Sequence, residues 1–185
     1  MGIEVTALDI EAVKLVHPKV FGDARGYFSE TYNRAEYSAV GIDTDFCQDN
    51  QSLSATRGTL RGLHYQAPPF GQSKLVRVVR GAILDVAVDV RSGSPTYGEW
   101  VSAELSAENH MQIFIPAGFL HGFVTLVPNT EVAYKVDAFY DKASDGAVRW
   151  NDPDLAIDWG LGEMLPVVSE KDESAPFFKD FTTPF

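Results

Sequence analysis

Cysteine is almost absent from this chain: Cys47 is the only one in 185 residues. An intrachain disulfide is therefore excluded, which fits a reducing compartment. Cys47 has no histidine near it in sequence, so it reads as a small buried apolar residue rather than a nucleophile. Basic residues are also few. Fifteen Lys and Arg stand against 26 Asp and Glu, a formal charge of −11. A chain this acidic lacks the basic face that a nucleic-acid backbone requires, which excludes nucleic acid as a partner. No apolar run approaches the ~18 residues of a membrane span, so no membrane partner is expected. The opening MGIEVTALDIEAVKL lacks a basic start and an apolar block, which argues against a signal peptide. These absences predict a cytoplasmic protein.

Helical periodicity is scarce too. Ala82–Val90 (AILDVAVDV) puts Ala82, Leu84, Val86, Val88 and Val90 on one face and Asp85 and Asp89 on the other, a period of two. Lys74–Arg80, Glu131–Tyr140, Glu99–Leu105 and Met111–Ile115 read as further strands. Turn residues separate them at Ser92-Gly93-Ser94-Pro95, Ala107-Glu108-Asn109, Pro116-Ala117-Gly118 and Pro128-Asn129-Thr130. Strands about every 8–12 residues predict an all-β antiparallel sandwich or barrel. One short helix is expected over Asn33–Val40, with Asn33 as N-cap, Glu36 at the capping-box position and Gly41 past the end. After Trp150 come Pro153, Pro166, Pro176 and Pro184, and this stretch is expected to wrap the sheet. Without repeats, low-complexity tracts or linkers, residues 1–185 are read as one domain.

Chemistry concentrates in Arg57–Lys74, RGTLRGLHYQAPPFGQSK. Arg61, His64 and Lys74 sit on two strand-like pieces around Pro68-Pro69-Phe70-Gly71, and a hairpin there would bring the pieces side by side. A neutral imidazole accepts a proton near neutral pH. Cations stabilise the oxyanion formed when a carbon beside a carbonyl loses its proton. Strict alternation puts Arg61 and His64, three apart, on opposite faces. A bulge at Gly62 would turn both inward. The plain alternative is a surface arginine and a core or rim histidine.

Phe114–His121 (FIPAGFLH) holds a Pro116-x-Gly118-x-x-His121 turn of the kind found in cupins, which are small jelly-roll proteins. Many cupins bind a metal through an earlier His-x-His, a downstream Glu and this His. Here the early element reads His64-Tyr65-Gln66, and no Glu lies between His64 and Glu99. Two histidines without a supporting carboxylate make a poor Zn or Fe site, so no metal is expected.

Eight segments in order carry a more specific resemblance: GDARGYFSE (22–30), FCQDNQS (46–52), TLRGLHYQ (59–66), QSKLVRVV (72–79), IPAGFLHGFV (115–124), Tyr134-Lys135-Val136, WNDP (150–153) and SEKD (169–172). Through nearly its whole length the chain resembles the dTDP-4-dehydrorhamnose 3,5-epimerases, metal-independent cupins. The resemblance implies a jelly-roll barrel with a few short peripheral helices, no cofactor, and epimerisation of dTDP-4-dehydro-6-deoxy-D-glucose at carbons 3 and 5. It implies His64 as the base, Asp172 as its partner, Lys74 with Arg61 at the carbon-4 oxygen, and Tyr134 returning a proton from the opposite ring face.

For the nucleotide end, the resemblance implies Arg25, Arg61 and Lys171 on the diphosphate or nucleotide and Gln48 and Asn50 near the thymidine. Phe28, Glu30 and His121 also match the family's site. In the family the strand carrying Phe28 and Glu30 is exchanged between subunits, which implies a homodimer with composite sites. Taken alone, Arg25 reads as a turn residue, Tyr134 as core beside Val132 and Val136, and Asp172 as solvated surface. One departure stands out: Asp145 occupies a place where the family commonly has Glu, a shorter arm toward the thymine. A related enzyme inverting only carbon 3 or carbon 5 would keep nearly the same residues.

Overall fold

A computed structural model describes residues 2–185. Thirteen strands follow in chain order: β1 Glu4–Ala7, β2 Lys14–His17, β3 Val20–Asp23, β4 Gly26–Ser29, β5 Gln48–Ser54, β6 Leu60–Gln66, β7 Lys74–Arg80, β8 Ala82–Asp89, β9 Trp100–Ser106, β10 Gln112–Ile115, β11 Phe119–Thr125, β12 Thr130–Val136 and β13 Asp145–Ala147. Two short α-helices, α1 Arg34–Ala39 and α2 Glu170–Glu173, and a 3-10 turn at Phe178–Asp180 complete it. The strands form a six-stranded sheet (β1-β2-β10-β7-β12-β5), a five-stranded sheet (β13-β6-β11-β8-β9) and a separate β3-β4 hairpin. Strand pairing within them is antiparallel. The all-β expectation therefore holds. The helix appears where Asn33 predicts it, with the Asn33 side chain accepting from the backbone N–H of Ala35 and Glu36.

Period-two patterning explains how the sheets stack. The inward rows, including Val76 and Val132 from one sheet and Ile83, Ala87 and Phe123 from the other, form the core between them. The five-stranded sheet is buried on its other face as well. There Val86, Val88, Leu120 and Val124 pack against Val148, Leu155 and Trp159 from the segment that follows the last strand. Asp152 pins that segment. Its Oδ1 accepts from the N–H of Asp154 (2.9 Å) and Leu155 (3.0 Å), and its Oδ2 from Phe178 (2.7 Å). The Asp of the WNDP motif is thus a buried anchor for the wrap.

Three expectations are corrected. β6 and β7 do not form a hairpin, because they belong to different sheets. The 67–73 segment crosses between the layers, and His64 and Lys74 sit on facing sheets rather than on adjacent strands. The strand expected to run to Tyr140 ends at Val136. Beyond it the Asp137 carboxylate turns back to accept from the Ser73 N–H at 2.7 Å. Cys47 is exposed rather than buried. It lies just ahead of β5, where the edge strand leaves its side chain uncovered.

Candidate active site

β6 is where local sequence decides the site. Arg61 pairs with Phe123 and His64 with His121, so β6 carries one more residue than β11 across that interval. The extra residue is accommodated at Gly62, which has φ +136°. A Cβ there would lie 2.5 Å from the Gly122 Cα, so only glycine allows the strands this close. Leu60 and Leu63 consequently both face the wrap, while Arg61 and His64 both line the space between the sheets.

That space is a cavity of about 280 Å³ lined by Arg61, His64, Lys74, His121, Tyr134 and Asp172, with Ser52, Phe123, Ser169 and Lys171. His64 and His121 come from the five-stranded sheet, Lys74 and Tyr134 from the six-stranded one. Asp172 enters from α2. Ser169 caps this one-turn helix, accepting from the Asp172 N–H at 3.1 Å. The Asp172 carboxylate is only 2% exposed, so it is not solvated surface. One of its oxygens lies 2.5 Å from His64 Nε2. Burial pushes this carboxyl up, but the bonds from His64, Ser169 and the Gly62 N–H outweigh it and hold the pKa below the usual value. An ionised Asp172 only accepts, so the Nε2 that faces it is a protonated nitrogen, and in the neutral ring Nδ1 is the acceptor.

The other members are arranged in kind. Burial pushes the Lys74 ammonium down to about 8, against the pull of Asp85 and Asp145. Burial lifts the Tyr134 phenol above its ordinary value, with Arg61 opposing. The cavity therefore brings together an imidazole, an ammonium that is a cation below about pH 8 and a protonated phenol. Proton abstraction beside a carbonyl needs these groups.

The remaining expected residues fall into two groups. Gln48 and Asn50 share the inward row of β5 with Ser52, joined by a 2.9 Å bond, and Asn50 lies opposite Tyr134. At the cavity mouth, Lys171 Nζ donates to Asp145 Oδ2 at 2.5 Å. Arg25, Phe28 and Glu30 are not brought to His64 within the chain. Arg25 and Phe28 line a separate depression on the β3-β4 hairpin, Glu30 another beside Lys19 and Tyr37. Arg25 is paired with Asp23 at 2.5 Å. Gln66, at the second-histidine position of metal cupins, serves the loops instead. It donates to the carbonyls of Phe70 and Phe139 and accepts from the Asp141 N–H.

Sequence reasoning missed Asp85, Ser52, Phe123 and Ser169. Asp85 is fully buried and accepts from His121 Nε2 at 2.9 and 3.1 Å. A carboxylate alternating with Ile83 and Ala87 in a strand was the available sign.

A small two-sheet barrel with this cavity between its layers defines a cupin-like protein, and comparison with known proteins shows which kind. The family model for dTDP-4-dehydrorhamnose 3,5-epimerase matches residues 7–180. The Sinorhizobium fredii dTDP-4-dehydrorhamnose 3,5-epimerase is 54% identical over 170 residues, 92% of this chain and 87% of that one. The Bacillus anthracis enzyme of that name, solved with TDP and PPi bound, is 46% identical with a TM-score of 0.93, covering 96% of this chain and 100% of that one. The Legionella pneumophila dTDP-6-deoxy-D-glucose-3,5-epimerase, in complex with dTDP-4-keto-L-rhamnose, is 43% identical with a TM-score of 0.92, covering 97% and 95%. The chain belongs to the dTDP-4-dehydrorhamnose 3,5-epimerase family.

Proposed function

We propose that this chain inverts carbons 3 and 5 of dTDP-4-dehydro-6-deoxy-D-glucose, giving dTDP-4-dehydro-L-rhamnose for rhamnose biosynthesis. Both carbons adjoin the carbon-4 ketone, so one arrangement serves both. His64 Nδ1 removes the proton, and Asp172 stabilises the resulting imidazolium. The electron pair moves onto the carbon-4 oxygen, where Lys74 meets the charge. Tyr134 delivers a proton to the opposite ring face, and solvent returns His64 and Tyr134 to their starting states. Supporting this reading is the placement of the His64 imidazole on one sheet and the phenol and ammonium on the facing one. Inversion requires removal and delivery from opposite sides.

A cavity of about 280 Å³ suits a sugar ring but is small for a nucleotide as well. Gln48, Asn50, Arg61, Asp145 and Lys171 extend it along the floor and mouth. Phe28 and Tyr27 are 61% and 65% exposed on the hairpin. We read the hairpin as an arm that brings Arg25, Phe28 and Glu30 to the site of a second copy, in a cytoplasmic homodimer of single-domain chains.

The test is incubation with the 4-keto sugar nucleotide in deuterated water. Deuterium at both carbons is expected. Label at one carbon only would make the chain a single-site epimerase, and absence of label would sink the enzymatic reading.

A further inference from the structure

Two carboxylates on the inward row of β8 have contrasting surroundings. Asp89, at the strand's end, is saturated by local partners: the Arg91 guanidinium and N–H, Ser94 Oγ and Thr96 Oγ. Its role is explained by that turn. Asp85 is equally buried, yet its hydrogen-bond partner is His121, a cavity residue. Its row neighbours Ile83 and Ala87 are plain core.

We propose that Asp85 is a positioning residue for His121, fixing the ring by its Nε2–H and leaving Nδ1 to accept. His121 lines the same cavity as His64, Lys74 and Tyr134, and Asp85, on the inward row of the neighbouring strand β8, lies within hydrogen-bond distance of its Nε2. This rests on the reading that the cavity holds the sugar. Burial lowers the His121 pKa against the pull of Asp85. The ring is then neutral with Nε2–H on Asp85, and Nδ1 is an acceptor for a substrate hydroxyl.

The experiment is nitrogen-15 NMR of His121 at pH 7 together with steady-state kinetics, for the wild-type chain, Asp85→Asn and Asp85→Leu. Wild type is expected to show protonated Nε2 with bare Nδ1. Asparagine keeps an acceptor for His121 and should keep both the tautomer and KM. Leucine removes the acceptor, and the tautomers should mix while KM rises about tenfold. The opposite tautomer in wild type, or a leucine variant that keeps both tautomer and KM, overturns the inference; a wild-type chain that incorporates no deuterium overturns the epimerase reading instead.

Discussion

Replacing Lys74 with methionine separates what the cavity costs the fold from what it does for the reaction. The lysine stem packs between the sheets, and methionine fills most of that volume without the charge. Burial lowers the ammonium from 10.5 to about 8. At 1.36 kcal/mol per unit, that difference makes the folded cation about 3 kcal/mol less favourable than the solvated one. The sign follows from proton uptake. Between about pH 8 and 10.5 the unfolded chain binds more protons than the folded one, so wild-type stability rises with pH across that window. Below it the full penalty is present; above it both states are neutral and the penalty is gone. Lys74→Met is therefore expected to be more stable than wild type by about 1–3 kcal/mol at pH 7, the lower bound allowing for packing that methionine does not recover. The gain should close as the pH approaches 10.5. Urea unfolding at fixed protein concentration reads this directly, as a shift in midpoint at constant slope. The same variant should lose about 10²–10³-fold in turnover. A variant less stable than wild type at pH 7, or a difference flat with pH, would refute the reasoning.

Tyr134→Phe should uncouple exchange from inversion: deuterium from His64 enters the substrate, while epimer formation drops about 10²–10⁴-fold. Product formed at the wild-type rate would remove Tyr134 from its role. Gly62→Ala, which places a Cβ against Gly122 at a φ of +136°, should cost about 2–4 kcal/mol in urea unfolding; an unchanged midpoint would contradict the bulge. Asp152→Ala breaks three backbone contacts and should cost about 3 kcal/mol, with limited proteolysis cutting first beyond residue 150. Cleavage elsewhere would show that Asp152 does not pin the wrap.

How far the site was legible depended on whether local spacing or tertiary placement decided each residue. The shared facing of Arg61 and His64 was readable because Gly62 lies between them and a bulge needs a permissive residue. The supposed hairpin failed because Pro68-Pro69-Phe70-Gly71 has the composition of a tight turn, while the full connection is long enough to bridge layers about 10 Å apart. Asp85 escaped notice because a charged row in a strand ordinarily means a solvated face. That rule lapses for a sheet covered on both sides, as this one is. Asp172 was hidden by the charges around it, since one helical turn is too short to display an amphipathic pattern. Arg25, Phe28 and Glu30 carry motif but no geometry within one chain, and only the family resemblance connects them to His64.

The carboxylate behind His64 belongs neither to the sheet that carries this histidine nor to the facing one. It arrives on a single helical turn within the outer wrap, downstream of all thirteen strands. Small cooperative units of this kind open at lower free energy than the core they cover. Under mild denaturant the wrap can lift while both sheets remain paired, and the imidazole then keeps its place but loses its tautomeric lock. On the proposed mechanism, catalytic competence reports docking of the peripheral shell, and inactivation should run ahead of the loss of β-sheet signal.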